Sequence, residues 1–230
     1  MTAAGDSSIR AGSGVLFLCD FDGTLSPNDM GRDILRFFST NDEWKQVTLD
    51  YVNGDIGSQE AYRKIAVHMR TSPEEMRRFV LDRGGLDPDF PAFYDYCTAN
   101  GHDVVIASDG FDFYIETLLK RYGLADITYY ANRIVFEKNR TVTVEFPHRN
   151  EECNLCGNCK LAVLRRLRPN YKTIIYVGDG PSDLCPAEEA DLIFARDVLY
   201  RKYREMGRDC FYYRDFSDIL AYFRNRATVA

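Results

Sequence analysis

The chain has 230 residues, of which 45% are apolar, 28% charged and 13% aromatic, a balance that fills a core and excludes extended disorder. A net charge of −6 gives no basic footprint for nucleic acid, and no apolar run approaches the roughly twenty residues that span a bilayer. Seven cysteines, an odd number without an export signal, argue against a disulfide framework and for a reducing cytoplasm. The opening MTAAGDSSIRAGSG is expected to be a short flexible tail.

The first element is VLFLCDFDGT (Val15 to Thr24), an apolar, β-branched run that breaks into Asp, Gly and Thr. Segment 28–85 carries no convincing strand. Its runs DMGRDILRFF, DEWKQVTLDYV, SQEAYRKIAVHMR and SPEEMRRFVLDRG place apolar residues at helical spacing. Ser72-Pro73-Glu74-Glu75 is a helix start, with Ser72 as N-cap, Pro73 at the first position and Glu75 closing a capping box. Residues 28–85 are therefore expected to form a helical cap inserted after the first strand, and residues 1–27 and 86–230 the core. A helix over Pro88 to Gly101 precedes the second strand, HDVVIASDG (His102 to Gly110), and DFYIETLLKRYG (Asp112 to Gly123) follows as a helix. Ile127 to Phe146, rich in Tyr, Val, Ile and Thr, predicts a strand and a β-hairpin turning at Glu137-Lys138-Asn139. KLAVLRRLRP (Lys160 to Pro169) predicts a helix stopped by Pro169, leading into the third strand, KTIIYVGDG (Lys172 to Gly180). Continuous apolar runs fit strands buried on both faces, and their alternation with helices predicts a doubly wound α/β fold with a mainly parallel sheet.

Each of the three apolar strands delivers polar residues at its carboxyl end, where open α/β sheets bind ligands. If the strands are neighbours, Asp20, Asp22, Ser108, Asp179 and Asp183 converge on one crevice. Packed carboxylates raise each other's pKa unless a cation offsets them, and oxygen-only ligands suit a hard cation, most naturally Mg²⁺. Taken singly, the D-x-D is a solvated turn, GDG a glycine turn and Lys160 a surface lysine. Their joint occurrence at successive strand ends is what singles them out.

DFDGT (Asp20 to Thr24), ASDG (Ala107 to Gly110), Lys160 and GDGPSD (Gly178 to Asp183) resemble the four motifs of the haloacid dehalogenase superfamily of phosphohydrolases. The resemblance spans nearly the whole chain, is strongest to the phosphoserine phosphatase-like branch, and implies a Rossmann-like core with the cap after the first strand. FPHRNEECNLCGNCK (Phe146 to Lys160) with Gly178 to Asp197 is similar to the methionine-salvage phosphatases, which act on 2-hydroxy-3-keto-5-methylthiopentenyl-1-phosphate. Phosphoserine, phosphoethanolamine and phosphocholine phosphatases are the alternative relatives. By this resemblance Asp20 is the nucleophile that forms an aspartyl-phosphate and Asp22 the acid and base. Ser108, Asp109 and Gly110 bind the substrate phosphate, and Lys160 offsets its charge. Asp20, Asp22 (through its main-chain carbonyl) and Asp179 hold Mg²⁺, with Asp183 a further ligand or the holder of a bound water. The implied partner is a small phosphorylated metabolite, and the implied state a monomer or homodimer. Receiver domains also gather acids, a hydroxyl and a lysine, but they lack the second Asp, so Asp22 favours an enzyme. Thr24 is read as orienting Asp22 or capping the turn.

Cys153, Cys156 and Cys159, with His148 upstream, have the ligand types of a structural zinc site but not the usual paired spacing. Packed or free thiols are the competing and preferred reading. Cys19 is expected to be an inert core thiol, His68 and His102 to be structural, and Trp44 to belong to the cap core.

Overall fold

The computed structural model describes residues 14–153 and 155–227; residues 1–13 of the predicted tail lie outside the described residues. Seven strands form one sheet: β1 (Val15–Cys19), β2 (Asp103–Phe111), β3 (Thr128–Phe136), β4 (Val142–Glu145), β5 (Thr173–Gly178), β6 (Leu192–Ala195) and β7 (Phe211–Tyr212). Their order is β4-β3-β2-β1-β5-β6-β7, parallel throughout except for the antiparallel β3–β4 pair. The three strands picked out from the sequence are thus neighbours at the centre, with Phe17 of β1 between Val104 of β2 and Ile175 of β5.

Side chains alternate across a strand, and here both faces are covered. Leu16 and Leu18 pack with Val163, Leu164 and Leu167 of α7 (Lys160–Leu167) and with Leu199 and Tyr203 of α9 (Asp197–Glu205). Phe17 and Cys19 face the other layer, made by α5 (Phe90–Ala99), α6 (Asp112–Arg121) and α10 (Phe216–Ala227). Phe93 meets Phe17 edge-on with ring centres 5.0 Å apart. Double burial is why β1 reads as an unbroken apolar run.

Between β1 and α5 the chain forms α1 (Met30–Phe38), α2 (Glu43–Asn53), α3 (Ser58–Ala66) and α4 (Pro73–Arg83). Asp29 caps α1 by accepting from the Arg32 N–H at 2.8 Å. At α4 both halves of the predicted capping box form, Glu75 N–H to Ser72 Oγ at 3.2 Å and Ser72 N–H to Glu75 Oε2 at 3.0 Å. Helix α2 buries none of its residues and rides on the outside.

Three features depart from the sequence reading. Strand β2 continues through Ser108-Asp109-Gly110 to Phe111, with its register shifting between Ala107 and Phe111. The turn after β3 lies over Lys138–Arg140, where Asn139 and Arg140 take φ of 64° and 65°. Strands β6 and β7, of four and two residues, were too short to leave a periodic signal. The short helix α8 (Leu184–Ala187) follows the GDGPSD turn.

Candidate active site

Asp20 leaves β1 with its N–H on Val177 O at 2.9 Å, so the exits of β1 and β5 are tied together. Beyond it the loop turns at Gly23, whose φ is 76° and where a Cβ would sit 2.4 Å from Asp179 Oδ2. Only a residue without a side chain lets this loop pass so close to Asp179. Thr24 is fully buried and donates to Asp179 Oδ1 at 2.7 Å. It therefore aims Asp179, not Asp22.

Lys160 opens α7 and is almost wholly buried. Its ammonium donates to Asp183 Oδ1 at 2.6 Å, to Ser182 Oγ at 3.1 Å, and pairs with Asp20 Oδ1 at 2.7 Å. Burial opposes this charge, but Asp183 and Asp20 overcome it and hold the lysine well above its ordinary pKa. Asp183 is saturated: Lys160 and Tyr176 Oη (2.6 Å) donate to Oδ1, and the N–H groups of Asp179 (2.9 Å) and Gly180 (2.8 Å) to Oδ2. Asp20, Asp179 and Asp183 each offer an oxygen within 4.8 Å of the others. Burial and Asp183 push the Asp20 carboxyl up against the pull of Lys160. The same two causes raise Asp179 to about 6. Three carboxylates against one ammonium leave an excess of negative charge, and an all-oxygen donor set suits a hard cation.

Asp22 accepts from Met30 N–H at 2.8 Å through Oδ1 and from the Tyr114 hydroxyl through Oδ2. Burial, then the charge of Asp29, raises it to about 7. Across the crevice Gly110 N–H donates to Ser108 Oγ at 3.0 Å. The Asp109 side chain turns inward instead: Oδ1 accepts from Asn132 Nδ2 at 3.0 Å and from Asn158 N–H at 2.9 Å. Asn158, fully buried, also donates Nδ2 to Ser108 O and Tyr130 O, both at 2.7 Å. The Ser108–Gly110 end of β2 is thus fastened to the residue two places before Lys160.

A family model for haloacid dehalogenase-like hydrolases matches residues 17–188. The chain belongs to this family. It is 33% identical to the 2-hydroxy-3-keto-5-methylthiopentenyl-1-phosphate phosphatase of Brevibacillus brevis over 212 residues, covering 90% of this chain and 93% of that protein. With the Bacillus velezensis protein of the same name it shares 30% over 208 residues, covering 89% and 87%. Among solved structures, a phosphoserine phosphatase from T. onnurineus superposes with a TM-score of 0.69 at 20% identity, covering 96% of this chain and 99% of that one. A phospho-aspartyl intermediate analogue of phosphoserine phosphatase gives 0.68 at 24%, covering 90% and 97%. At these identities the structural likeness speaks for the fold alone.

In this family member the residues singled out from the sequence gather at one end of the sheet, but several supports escaped the sequence reading. Tyr176 sits inside β5 and reads as core. Tyr114 lies on the buried face of α6 and reads as core there. Arg196, at the end of β6, donates Nε to Gly23 O at 2.8 Å and Nη1 to Arg214 O at 2.7 Å, clamping the loop that carries Asp22. Only Asn158, a polar residue in a short run before a helix, left a visible signal, and the neighbouring thiols drew attention from it.

All seven cysteines are free thiols. Cys153 is exposed, Cys156 half-buried and Cys159 buried, and no three of the candidate zinc ligands among the described residues come within ligand distance of one another. His148 packs edge-on against Tyr130 at 5.2 Å, and burial with Arg166 pushes it down to about 4. Cys19 is fully buried in β1, and burial raises its thiol.

Proposed function

We propose that the chain is a Mg²⁺-dependent phosphomonoesterase working through an aspartyl-phosphate, with 2-hydroxy-3-keto-5-methylthiopentenyl-1-phosphate as its substrate. The buried Lys160, flanked by Asp20 and Asp183 and beside Asp179, carries the reading. The bacterial relatives, phosphatases of that same ester by name, support the substrate. Residues 28–85 are assigned as the cap over a core of residues 1–27 and 86–230. The seven free thiols fit a reducing, cytoplasmic setting.

Asp20 holds Phe21 N–H at 2.7 Å and Lys160 at 2.7 Å, both on Oδ1, and presents Oδ2 to phosphorus. As the Asp20–phosphorus bond forms, the bond to the alcohol oxygen breaks, and Asp22 gives that oxygen its proton. In the second step Asp22 takes a proton from water whose oxygen attacks phosphorus. The Asp20–phosphorus bond breaks, inorganic phosphate leaves, and both carboxyl groups return to their starting states. Ser108 Oγ and the Gly110 N–H exchange their mutual bond for phosphoryl oxygens. Asp109 turns its side chain away from the phosphate, which a carboxylate would repel, and anchors this end of β2 to Asn132 and Asn158. Asp20, Asp179 and the Asp22 carbonyl are assigned as direct ligands; Asp183 completes the acidic set while aiming Lys160 and the Asp179 turn. Bound there, Mg²⁺ supplies positive charge to the phosphoryl oxygens. Positioning and charge do most of the catalysis of such a transfer.

The test is phosphate release from this substrate, phosphoserine, phosphoethanolamine and phosphocholine, with Mg²⁺ and with EDTA. Release confined to Mg²⁺ and fastest from the methylthiopentenyl ester is expected. Equal release in EDTA would refute the metal, and a faster rate on phosphoserine would refute the substrate.

A further inference from the structure

Four of the seven thiols stand together, although only three of them are close in sequence. Cys153, Cys156 and Cys159 lie on the run that leads into α7, and Cys185 lies in α8. The two helices pack against each other. Lys160, at the head of α7, meets Ser182 and Asp183 just before α8 at 3.1 and 2.6 Å. Further along α7, Arg165 Nε holds both carboxylate oxygens of Glu189, just beyond α8, at 3.1 and 3.0 Å. The heads of the helices are thereby brought together, with Cys159 at one and Cys185 at the other. The same neighbourhood shows in the electrostatics. Burial, then Asp109, Cys159 and Cys153, push the Cys156 thiol up to about 12. Burial, then Glu188, Cys153 and Cys159, raise the Cys185 thiol.

The hydrogen bonds that fasten residues 157–159 run through main-chain N–H groups and the Asn158 amide, and they use no sulphur. Clustered thiols repel one another once ionised, as clustered carboxylates do, so several ionise together only around a cation. Sulphur ligands suit a soft cation, and four of them in a tetrahedral set suit Zn²⁺. Four thiolates around Zn²⁺ carry two negative charges in excess. Lys160 stands within reach of Cys156 and Arg165 within reach of Cys159 to offset them. His148 is engaged elsewhere, its ring against Tyr130 and Arg166 beside it. No three of the four sulphurs lie within 4.8 Å of one another. Cys153 and Cys185 are exposed, however, and have room to turn towards the more buried Cys156 and Cys159.

We propose that Cys153, Cys156, Cys159 and Cys185 bind one structural Zn²⁺, separate from the Mg²⁺ site. Two Cys-x2-Cys steps that share Cys156 supply three ligands, and Cys185, remote in sequence, completes the set. Each thiol releases its proton to water as its sulphur joins the metal, and neither sulphur nor zinc changes oxidation state. Bound there, Zn²⁺ staples the turn before Lys160 to the helix after Asp183.

The experiment uses the full chain, purified on a metal-free resin from cells grown with added zinc and dialysed against Mg²⁺ buffer. Elemental analysis should find about one zinc per chain. Cys185→Ser should weaken zinc binding at least about a hundredfold in competition with a chromophoric chelator, since losing even a group that only orients a ligand costs about 10–100-fold. Cys153→Ser, at an exposed position, should do the same and serves if the first variant does not fold. His148→Ala and Cys210→Ser should keep the zinc. With Co²⁺ in place of Zn²⁺, the thiolate-to-cobalt absorption should fall by about a quarter in Cys185→Ser and stay unchanged in His148→Ala. Stripping the zinc with Mg²⁺ kept in excess should lower the melting temperature. Wild type that retains less than about a tenth of an equivalent after incubation with Zn²⁺ and dialysis would overturn the site. Zinc kept by Cys185→Ser and lost by His148→Ala would overturn the ligand set.

Discussion

Replacing Lys160 by Met keeps a linear side chain of similar length and removes the ammonium that faces Asp20 and Asp183. Breaking a buried ion pair from one side costs about 3–5 kcal/mol, because the remaining charge is left uncompensated. Here both carboxylates have partial relief. Asp183 keeps Tyr176 and two main-chain N–H donors, and Asp20, already pushed up by burial and by Asp183, takes up a proton. The lower end, about 3 kcal/mol, is therefore expected, which lowers the melting temperature by roughly 6–12 °C for a chain of this size. The loss of rate is a separate effect. The ammonium lies against the nucleophile and opposes charge where the phosphoryl group arrives, so turnover should fall about 10²–10³-fold, as when an oxyanion donor is lost. Calorimetric melting and phosphate release at saturating substrate and Mg²⁺ read the two effects apart. Added Mg²⁺ should restore part of the melting temperature, since it offsets the same carboxylates, but not the rate. A Lys160→Met protein turning over within tenfold of wild type would refute the assignment of Lys160.

Asp179→Asn removes one of three clustered carboxylates and should shrink the rise in melting temperature that Mg²⁺ gives the wild type; an undiminished rise would place the cation elsewhere. Asn158→Asp keeps the shape, loses both Nδ2 donations and sets a second carboxylate against Asp109, so a loss of about 1–3 kcal/mol in denaturant unfolding and a lower kcat are expected. With Asp22 raised to about 7, its proton is present below that pH and lost above it. kcat/KM for an alkyl phosphate should therefore fall above pH 7 while p-nitrophenyl phosphate, whose leaving group needs no proton, stays flatter; parallel profiles would remove Asp22 from the acid role.

The central sheet was legible because burial on both faces leaves continuous apolar runs, and three such runs ended in Asp, Ser or Gly at the same end of the fold. The four helices of the insert were legible from periodicity and, at Ser72 to Glu75, from capping chemistry. What escaped was written in contacts remote in sequence. Thr24 meets Asp179 across 155 positions and Arg196 reaches Gly23 across 173, and no local pattern records either pairing. The run before Lys160 shows the same limit from another side. Its thiols suggested a metal that would pin the lysine, yet the structure fastens the segment with other groups. Gly157 N–H reaches Ser58 of α3, Asn158 reaches Asp109, Ser108 and Tyr130, and Cys159 N–H reaches His148 O at 3.1 Å. One short segment thereby joins α3, the Ser108–Gly110 end of β2 and the start of α7. The segment that leads into Lys160 is therefore held from two sides, by Ser58 of α3 through Gly157 and by the carboxyl end of β2 through Asn158, and neither contact involves a thiol.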